Sequence, residues 1–390
     1  MKYLNKIVYP LVLISLLIAG YVIDGQSKSI KPLRADKDSV ISVRISVVGD
    51  LMCHSPQIDY AKKSDGTYDF SSTFREVKKY FAKTDFLFGN LETVTAGKQK
   101  PFIGYPLFNT PDEYISALKD AGFNLLTTAN NHAVDQGESG ILRTIEMLKK
   151  NGLNYNGTFS SQRDRDSIRI FNIKGIKIAF LGYTFDTNGN PVTKGKSYLI
   201  NLIDFNLIKN DIYNARKQGA EIVLVHYHFG VEYQREPVKE QREVVNKTIQ
   251  LGADIIIGGH PHVIEPVDYF KASPLAKLNT GFVIYSMGNF VSNQQWRYSD
   301  AGLILNIDIS KNVKKDSLYI AKVDYIPTWV YKGARKGKNE YAVLPIIDPE
   351  KIGEYSFVPD SGKAKMRQAF GDTKEILAKY SKNISVYNEK

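Results

Sequence analysis

Asp254-Ile255-Ile256-Ile257-Gly258-Gly259-His260-Pro261-His262 changes character in the space of one short segment. A run of three isoleucines gives way to paired glycines and then to paired histidines, which reads as a buried strand whose carboxyl end delivers side chains to a site. The same grammar recurs along the chain. Val48 leads into Gly49-Asp50, Phe88 into Gly89-Asn90-Leu91-Glu92, Thr128 into Asn130-Asn131-His132, and Val225 into His226. Amphipathic stretches of helical period stand between these strings, so the pattern predicts an α/β domain in which distant strings converge beyond the carboxyl ends of strands.

Working outward, the expected strands are Ser42–Val48, Asp85–Phe88, Leu125–Thr128, Ile168–Ile173, Ile176–Leu181, Glu221–His226, Asp254–Ile257, Phe282–Tyr285, Leu303–Ile309 and Leu318–Tyr325. Helices are expected over Ser72–Ala82, Pro111–Ala121, Ser139–Lys150, Asp204–Gln218, Pro237–Gly252 and Lys363–Tyr380. Asn172-Ile173-Lys174-Gly175 reads as a hairpin turn, and the basic stretch from Lys332 to Lys338 as a solvated loop. The domain is placed at residues 41–330, with 331–390 an extension packing on it.

With 43% hydrophobic and 24% charged residues in 390, the chain can bury a real core and is not a disordered polymer. The net charge of +11 suits an anionic neighbour such as a phospholipid surface or a polyanion. No nucleic-acid-binding module is visible, so no nucleic-acid partner is expected. Cys53 is the single cysteine, which excludes an intrachain disulfide.

Lys2 and Lys6 precede an apolar run from Ile7 to Ile23, the pattern of a single-pass signal anchor over residues 1–24, with a removed signal peptide as the alternative. Residues 25–40 read as a polar linker. The positive-inside rule then places the large C-terminal part outside the cytoplasm: membrane-attached in the first case, secreted in the second.

All six histidines fall inside the polar strings: His54, His132, His226, His228, His260 and His262. His260 and His262 alternate in an extended segment, so both imidazoles can face one site. Asp50 and Glu92 supply hard oxygens, Asn131 a neutral carbonyl oxygen and His228 another nitrogen. Mixed oxygen and nitrogen donors with two carboxylates suit two divalent ions such as Mn, Fe or Zn, one carboxylate bridging them, and the expected chemistry is in-line hydrolysis of a phosphoester. His132 suits a proton donor to the leaving oxygen, its other nitrogen held by Asp135. Blander readings exist for each: Asp50 and Glu92 as turn residues, Asn131 and His132 as a helix cap, His228 as a core histidine. His226, Glu232 and Tyr233 are expected to support the site, Asn90 and Asn130 to line it, and Asn289, in Tyr285-Ser286-Met287-Gly288-Asn289-Phe290, to pack beside it or touch ligand.

Six ordered motifs carry a resemblance: GDLM at Gly49–Met52, GNLE at Gly89–Glu92, ANNHAVDQG at Ala129–Gly137, HFGVEY at His228–Tyr233, GHPHVIEP at Gly259–Pro266 and YSMGNFV at Tyr285–Val291. In order and spacing they resemble the bacterial CapA family of capsule-synthesis proteins, linked to poly-γ-glutamate synthesis and export, whose domain is similar to calcineurin-like metallophosphoesterases. The resemblance implies a four-layer α/β/β/α sandwich. It implies Asp50, Glu92, Asn131, His228, His260 and His262 as metal ligands with Glu92 bridging, and His132 as the acid. Implied partners are an anionic polymer or phosphoester substrate, the membrane and capsule synthase subunits. A metallophosphoesterase would carry an Asp-x-His pair at the first motif, where Gly49-Asp50-Leu51 stands instead, so one of the two ions is expected to be weaker or absent. An enzyme, a non-catalytic polymer-binding subunit and a free extracytoplasmic phosphoesterase all fit these residues.

Overall fold

The computed structural model describes residues 40–389, so the expected N-terminal anchor and nearly all of the linker lie outside the described residues. No helix among the described residues is long and apolar enough to cross a membrane. In chain order the strands are β1 (Val40–Leu51), β2 (Phe86–Leu91), β3 (Leu125–Thr127), β4 (Asn154–Asn156), β5 (Arg169–Ile173), β6 (Ile176–Thr184), β7 (Ile222–His228), β8 (Ile255–Gly259), β9 (Val267–Lys271), β10 (Thr280–Ile284), β11 (Asn289–Val291), β12 (Ala301–Asn312), β13 (Ser317–Arg335), β14 (Lys338–Pro345) and β15 (Ser385–Val386). The α-helices are α1 (Ser55–Ala61), α2 (Ser71–Phe74), α3 (Lys78–Phe81), α4 (Asp112–Ala121), α5 (Gly137–Lys150), α6 (Gln162–Asp166), α7 (Phe205–Lys217), α8 (Lys239–Leu251) and α9 (Asp360–Leu377).

Two sheets form. The first runs β14-β13-β12-β1-β2-β3-β4, with β11 beside β1 and β15 beside β13; the second runs β5-β6-β7-β8-β10-β9. Strands β1 to β4 are mutually parallel, as are β6, β7, β8 and β10, so the carboxyl ends within each of these sets share one edge of their sheet.

Side-chain alternation sets the layers. Ile178, Phe180, Ile222 and Leu224 of the second sheet meet Ile45, Val47 and Phe88 of the first in a central core. Their sequence neighbours Ala179, Leu181, Val223 and Val225 turn the other way, onto Ile208, Ile212 and Val245 of α7 and α8. On the far face of the first sheet, Leu87, Leu91 and Leu126 pack with Leu118, Ile141 and Ile145 of α4 and α5. The order is therefore helix, sheet, sheet, helix, and because the inner strands are buried on both faces their sequences read as unbroken apolar runs.

Local chemistry fixes the connections. Asp204 caps α7 by accepting from the Asn206 and Leu207 N–H groups. Between β5 and β6 the turn puts Lys174 and Gly175 at positive φ, and Asn172 accepts from the Gly175 N–H at 2.8 Å.

Two sequence expectations are corrected. The helix expected over Ser72–Ala82 is two short helices, α2 and α3. The residues between them are drawn toward the β13–β14 hairpin by Arg75–Glu340 and Glu76–Arg335 ion pairs at 3.3 and 2.7 Å, contacts that local periodicity cannot reveal. The basic stretch from Lys332 to Lys338 is that hairpin, with only Lys336 and Gly337 at its turn. Strand β13 runs unbroken from Ser317 to Arg335, across residue 330.

Candidate metal centre

The parallel strands of both sheets bring their carboxyl-terminal strings to one place. Asp50 ends β1, Glu92 follows β2, Asn131 follows β3, His228 ends β7, and His260 and His262 follow β8; all six side chains are buried. Two glycines make the approach possible. A Cβ on Gly259 would lie 2.9 Å from the Asp50 carboxylate, and one on Gly258 would lie 1.8 Å from the Tyr285 carbonyl oxygen.

The donor atoms converge although the residues lie far apart in sequence, Asp50 and His260 by 210 residues. His262 Nδ1 stands 3.3 Å from Asp50 Oδ2, and His262 Nε2 stands 3.7 Å from Glu92 Oε1. His228 Nε2 lies 3.5 Å from Glu92 Oε1 and 2.7 Å from Asn131 Oδ1. Metal–ligand bonds of about 2.0–2.2 Å place neighbouring ligands about 3.0–3.5 Å apart, close to the 3.3–3.7 Å between the carboxylate and imidazole atoms here, while the 2.7 Å His228–Asn131 contact is a hydrogen bond. Two sets share Glu92: Asp50, Glu92 and His262 on one side, Glu92, His228 and His260 on the other, with Asn131 beside the second.

Electrostatics show what the pocket lacks. Both Glu92 carboxylate oxygens are buried without a hydrogen-bond partner, as is Nδ1 of His260. A buried carboxylate normally accepts several hydrogen bonds, so this one is shaped for a different partner. Burial, and then the nearby Asp50 charge, push the Glu92 carboxyl well above the usual range. Burial would raise Asp50 too, but the His262 hydrogen bond and the His228 imidazole outweigh it and hold the group low. Burial holds His228 down at about 3 and His260 at about 2, leaving both as the neutral imidazoles that coordination requires. His262 goes the other way: burial lowers it, yet Glu92 and Asp50 carry it to about 9. A cation between the carboxylates would replace these trapped protons, and the donor set of carboxylate, amide oxygen and imidazole fits Mn, Fe or Zn.

Around these six, Asn90 donates to Asp50 Oδ1 at 2.8 Å, and Asn130 donates to Asn90 at 3.2 Å and to the Leu91 carbonyl at 2.8 Å. His132 Nδ1 meets Asp135 Oδ2 at 2.8 Å, and the same oxygen accepts from the Phe108 N–H, so the ring is fixed and Nε2 is left for another partner. Asn131 does not cap a helix, because α5 starts only after Gln136; the backbone of this loop is held instead by Asn130 Oδ1 accepting from the His132 N–H. His226 is buried with its Nδ1 unpartnered, and Asn289 is the register partner of Asp50, spending its amide on Gln294 and the Ser299 carbonyl. Glu232 Oε1 reaches to 3.9 Å from His262 Nε2, and the Tyr233 ring lies 6.1 Å from that imidazole. His54 does not join these donors; it sits at the head of α1 with Gln57 and the Asn293 N–H, its ring 5.3 Å from Phe108, which packs on His132.

Sequence reasoning misses the rim. Exposed Tyr105 lies 6.2 Å from His132, Phe185 lies 4.6 Å from His260, and Trp296 packs edge-on to Tyr233 at 5.4 Å. Lone aromatics in loops carry no local signal, and only their exposure in the fold singles them out. His260 and His262 also sit at φ of 96° and 58°, strained backbone of the kind concentrated at functional sites.

Fold and site together define a four-layer α/β protein with a buried carboxylate and imidazole centre suited to divalent metal. Residues 44–294 match the family described as bacterial capsule synthesis protein PGA_cap, and the chain belongs to that family. It is 30% identical over 306 residues to the capsule biosynthesis protein CapA of Bacillus anthracis, covering 76% of this chain and 71% of the relative. To the PGA biosynthesis protein CapA of Bacillus subtilis it is 30% identical over 315 residues, covering 80% and 79%. Among solved structures, it is similar to the calcineurin-like phosphoesterase YfkN of Bacillus subtilis at 16% identity and TM-score 0.44, covering 86% of this chain and 99% of that one. The NAD nucleotidase of Haemophilus influenzae matches at 15% identity and TM-score 0.46, covering 90% of this chain and 58% of that one.

Proposed function

We propose that this protein acts in the synthesis or export of a capsule polymer of the poly-γ-glutamate kind, and that its pocket is a two-metal, hydrolase-like centre acting on a phosphoryl or similar anionic group. Membership of the capsule synthesis family supports the first part. The single observation behind the second is Glu92, a buried carboxylate with no hydrogen-bond partner, standing among Asp50, His228, His260 and His262.

In this reading Asp50, Glu92 and His262 would hold one ion, and Glu92, Asn131, His228 and His260 the other. When bound, such ions supply Lewis acidity toward an anionic ester and activate water. The chain's own residues do the rest. His132, held through Nδ1 by Asp135, presents Nε2 to protonate the leaving oxygen. Asn90 and Asn130 fix Asp50 and the end of β2. Tyr105, Phe185, Tyr233 and Trp296 offer exposed aromatic surface beside the centre for a substrate to pack on.

We place the domain outside the cytoplasm, tethered by residues 1–24; Lys2 and Lys6 before the apolar run support that placement, with a cleaved signal peptide as the alternative. Capsule synthase subunits are the partners this role calls for. Met52, standing where an Asp-x-His pair would have its histidine, favours a second reading as a polymer-binding subunit that does not turn over substrate.

Metal analysis and turnover of an aryl phosphodiester by the purified full chain separate these readings. The proposal expects bound metal near stoichiometry and hydrolysis that falls about 10²–10⁴-fold in His132→Ala while metal stays bound. Metal-loaded protein without turnover would leave the binding-subunit reading, and protein that takes up no divalent ion would end the metal-centre reading.

A further inference from the structure

The two halves of the centre are unequal. One side has Glu92, His228 and His260 with the Asn131 oxygen adjoining; the other has only Asp50, Glu92 and His262. The residue two beyond Asp50 is Met52, which brings no hard donor there. A three-ligand side invites another donor from within reach.

We propose that Glu232 is that donor, a further ligand to the ion that His262 would hold; this rests on the reading of the pocket as a metal centre. Glu232, His260 and His262 each offer a ligand atom within 4.8 Å of the others, and Glu232 Oε1 lies 3.9 Å from the same His262 Nε2 that faces Glu92. The imidazoles it would join are both buried. Asp135, another acid at the pocket, is already held by His132 and the Phe108 N–H.

The backbone positions Glu232 for this role. Its loop is stitched to the His260-Pro261-His262 turn on either side: the Phe229 N–H donates to the Gly259 carbonyl at 3.1 Å, and the Tyr233 N–H to the Pro261 carbonyl at 2.8 Å. Gln241 adds a side-chain tie, bonding the Val238 N–H and Glu265. The Glu232 side chain itself keeps 43% exposure, so a small rotamer change costs little desolvation. The frame is held by backbone bonds, while the carboxylate, hydrogen-bonded only to the neighbouring Tyr233 hydroxyl, is exposed enough to turn toward an arriving ion.

The test is Mn²⁺ binding to the full chain, followed by calorimetry and electron paramagnetic resonance. Wild type is expected to bind two ions with a coupled signal. In Glu232→Gln one binding step should weaken at least about tenfold, leaving the signal of an isolated ion, while the other step is unchanged. Glutamine keeps the shape and hydrogen-bonding capacity of glutamate but is a poor cation ligand, so a merely structural role for Glu232 predicts no change in either step. Two unchanged steps in Glu232→Gln would overturn the inference and leave the metal centre standing. A wild type that binds one ion would also overturn it, and one that binds none would overturn both.

Discussion

Replacing Glu265 with glutamine should change how stability depends on pH. Glu265 lies three residues after His262 in the same loop, with its side chain fully buried. Oε2 accepts from Gln241 Nε2 at 2.7 Å, while Oε1 has no partner. Burial is the main cause that carries its carboxyl up to about 8; the Gln241 hydrogen bond opposes this, and the Glu236 charge adds to it. The folded state therefore holds a proton that the unfolded chain releases near 4.5. A folded pKa above the unfolded one means the stability contribution is full below about 4.5 and is lost as pH rises toward 8. With those two values, linkage gives a loss of about 1 kcal/mol at pH 5, about 3 at pH 7 and nearly 5 at pH 9, relative to strongly acidic solution. Glutamine retains an oxygen for Gln241 and does not titrate, so Glu265→Gln should gain about 4 kcal/mol on wild type between pH 5 and pH 9. Chemical denaturation of both proteins in chelator at several pH values measures the difference. Parallel stability profiles would refute the account, because they would mean that Glu265 is ionised and satisfied in the folded protein.

Other consequences can be measured separately. Mn²⁺ at a hundred times its dissociation constant should stabilise wild type by about 2.7 kcal/mol per ion bound in thermal unfolding, and Glu92→Ala should abolish most of that shift; a shift that persists would show that the ions bind elsewhere. Gly258→Ala forces a Cβ to 1.8 Å from the Tyr285 carbonyl, so β8 and β10 must part, and the variant should lose several kcal/mol or fail to accumulate as soluble protein; wild-type stability would contradict the packing. Asp211→Ala leaves Arg165 buried without its bidentate partner and removes the acceptor of the Tyr183 hydroxyl, for an expected loss of about 3–5 kcal/mol in urea unfolding; a loss under about 1 kcal/mol would show the pair to be hydrated.

What the sequence determined by itself was the local grammar. Ile255-Ile256-Ile257 could be read as a buried strand, and Gly258 to His262 as its functional end, because side-chain period and backbone freedom are properties of a few consecutive residues. The hairpin at Lys174-Gly175 and the helix from Asp204 were legible for the same reason, as was the alternation of strands and helices that announces an α/β domain. The Ser72–Ala82 stretch failed because its apolar period is helical while its middle is drawn to Glu340 and Arg335, far along the chain.

Only the tertiary structure decided which donors meet. Strand direction did it: parallel strands carry Asp50, Glu92, Asn131, His228 and His260 to a shared edge of the two sheets, whereas nothing local distinguishes His54, which stands at the head of α1, from His260 at the pocket. The unsatisfied oxygens of Glu92, the reach of Glu232 and the aromatic rim are likewise properties of packing across hundreds of residues of chain. Hydrophobic period is a short-range signal, but burial and the electrostatics that follow from it are set by neighbours that only the folded chain supplies.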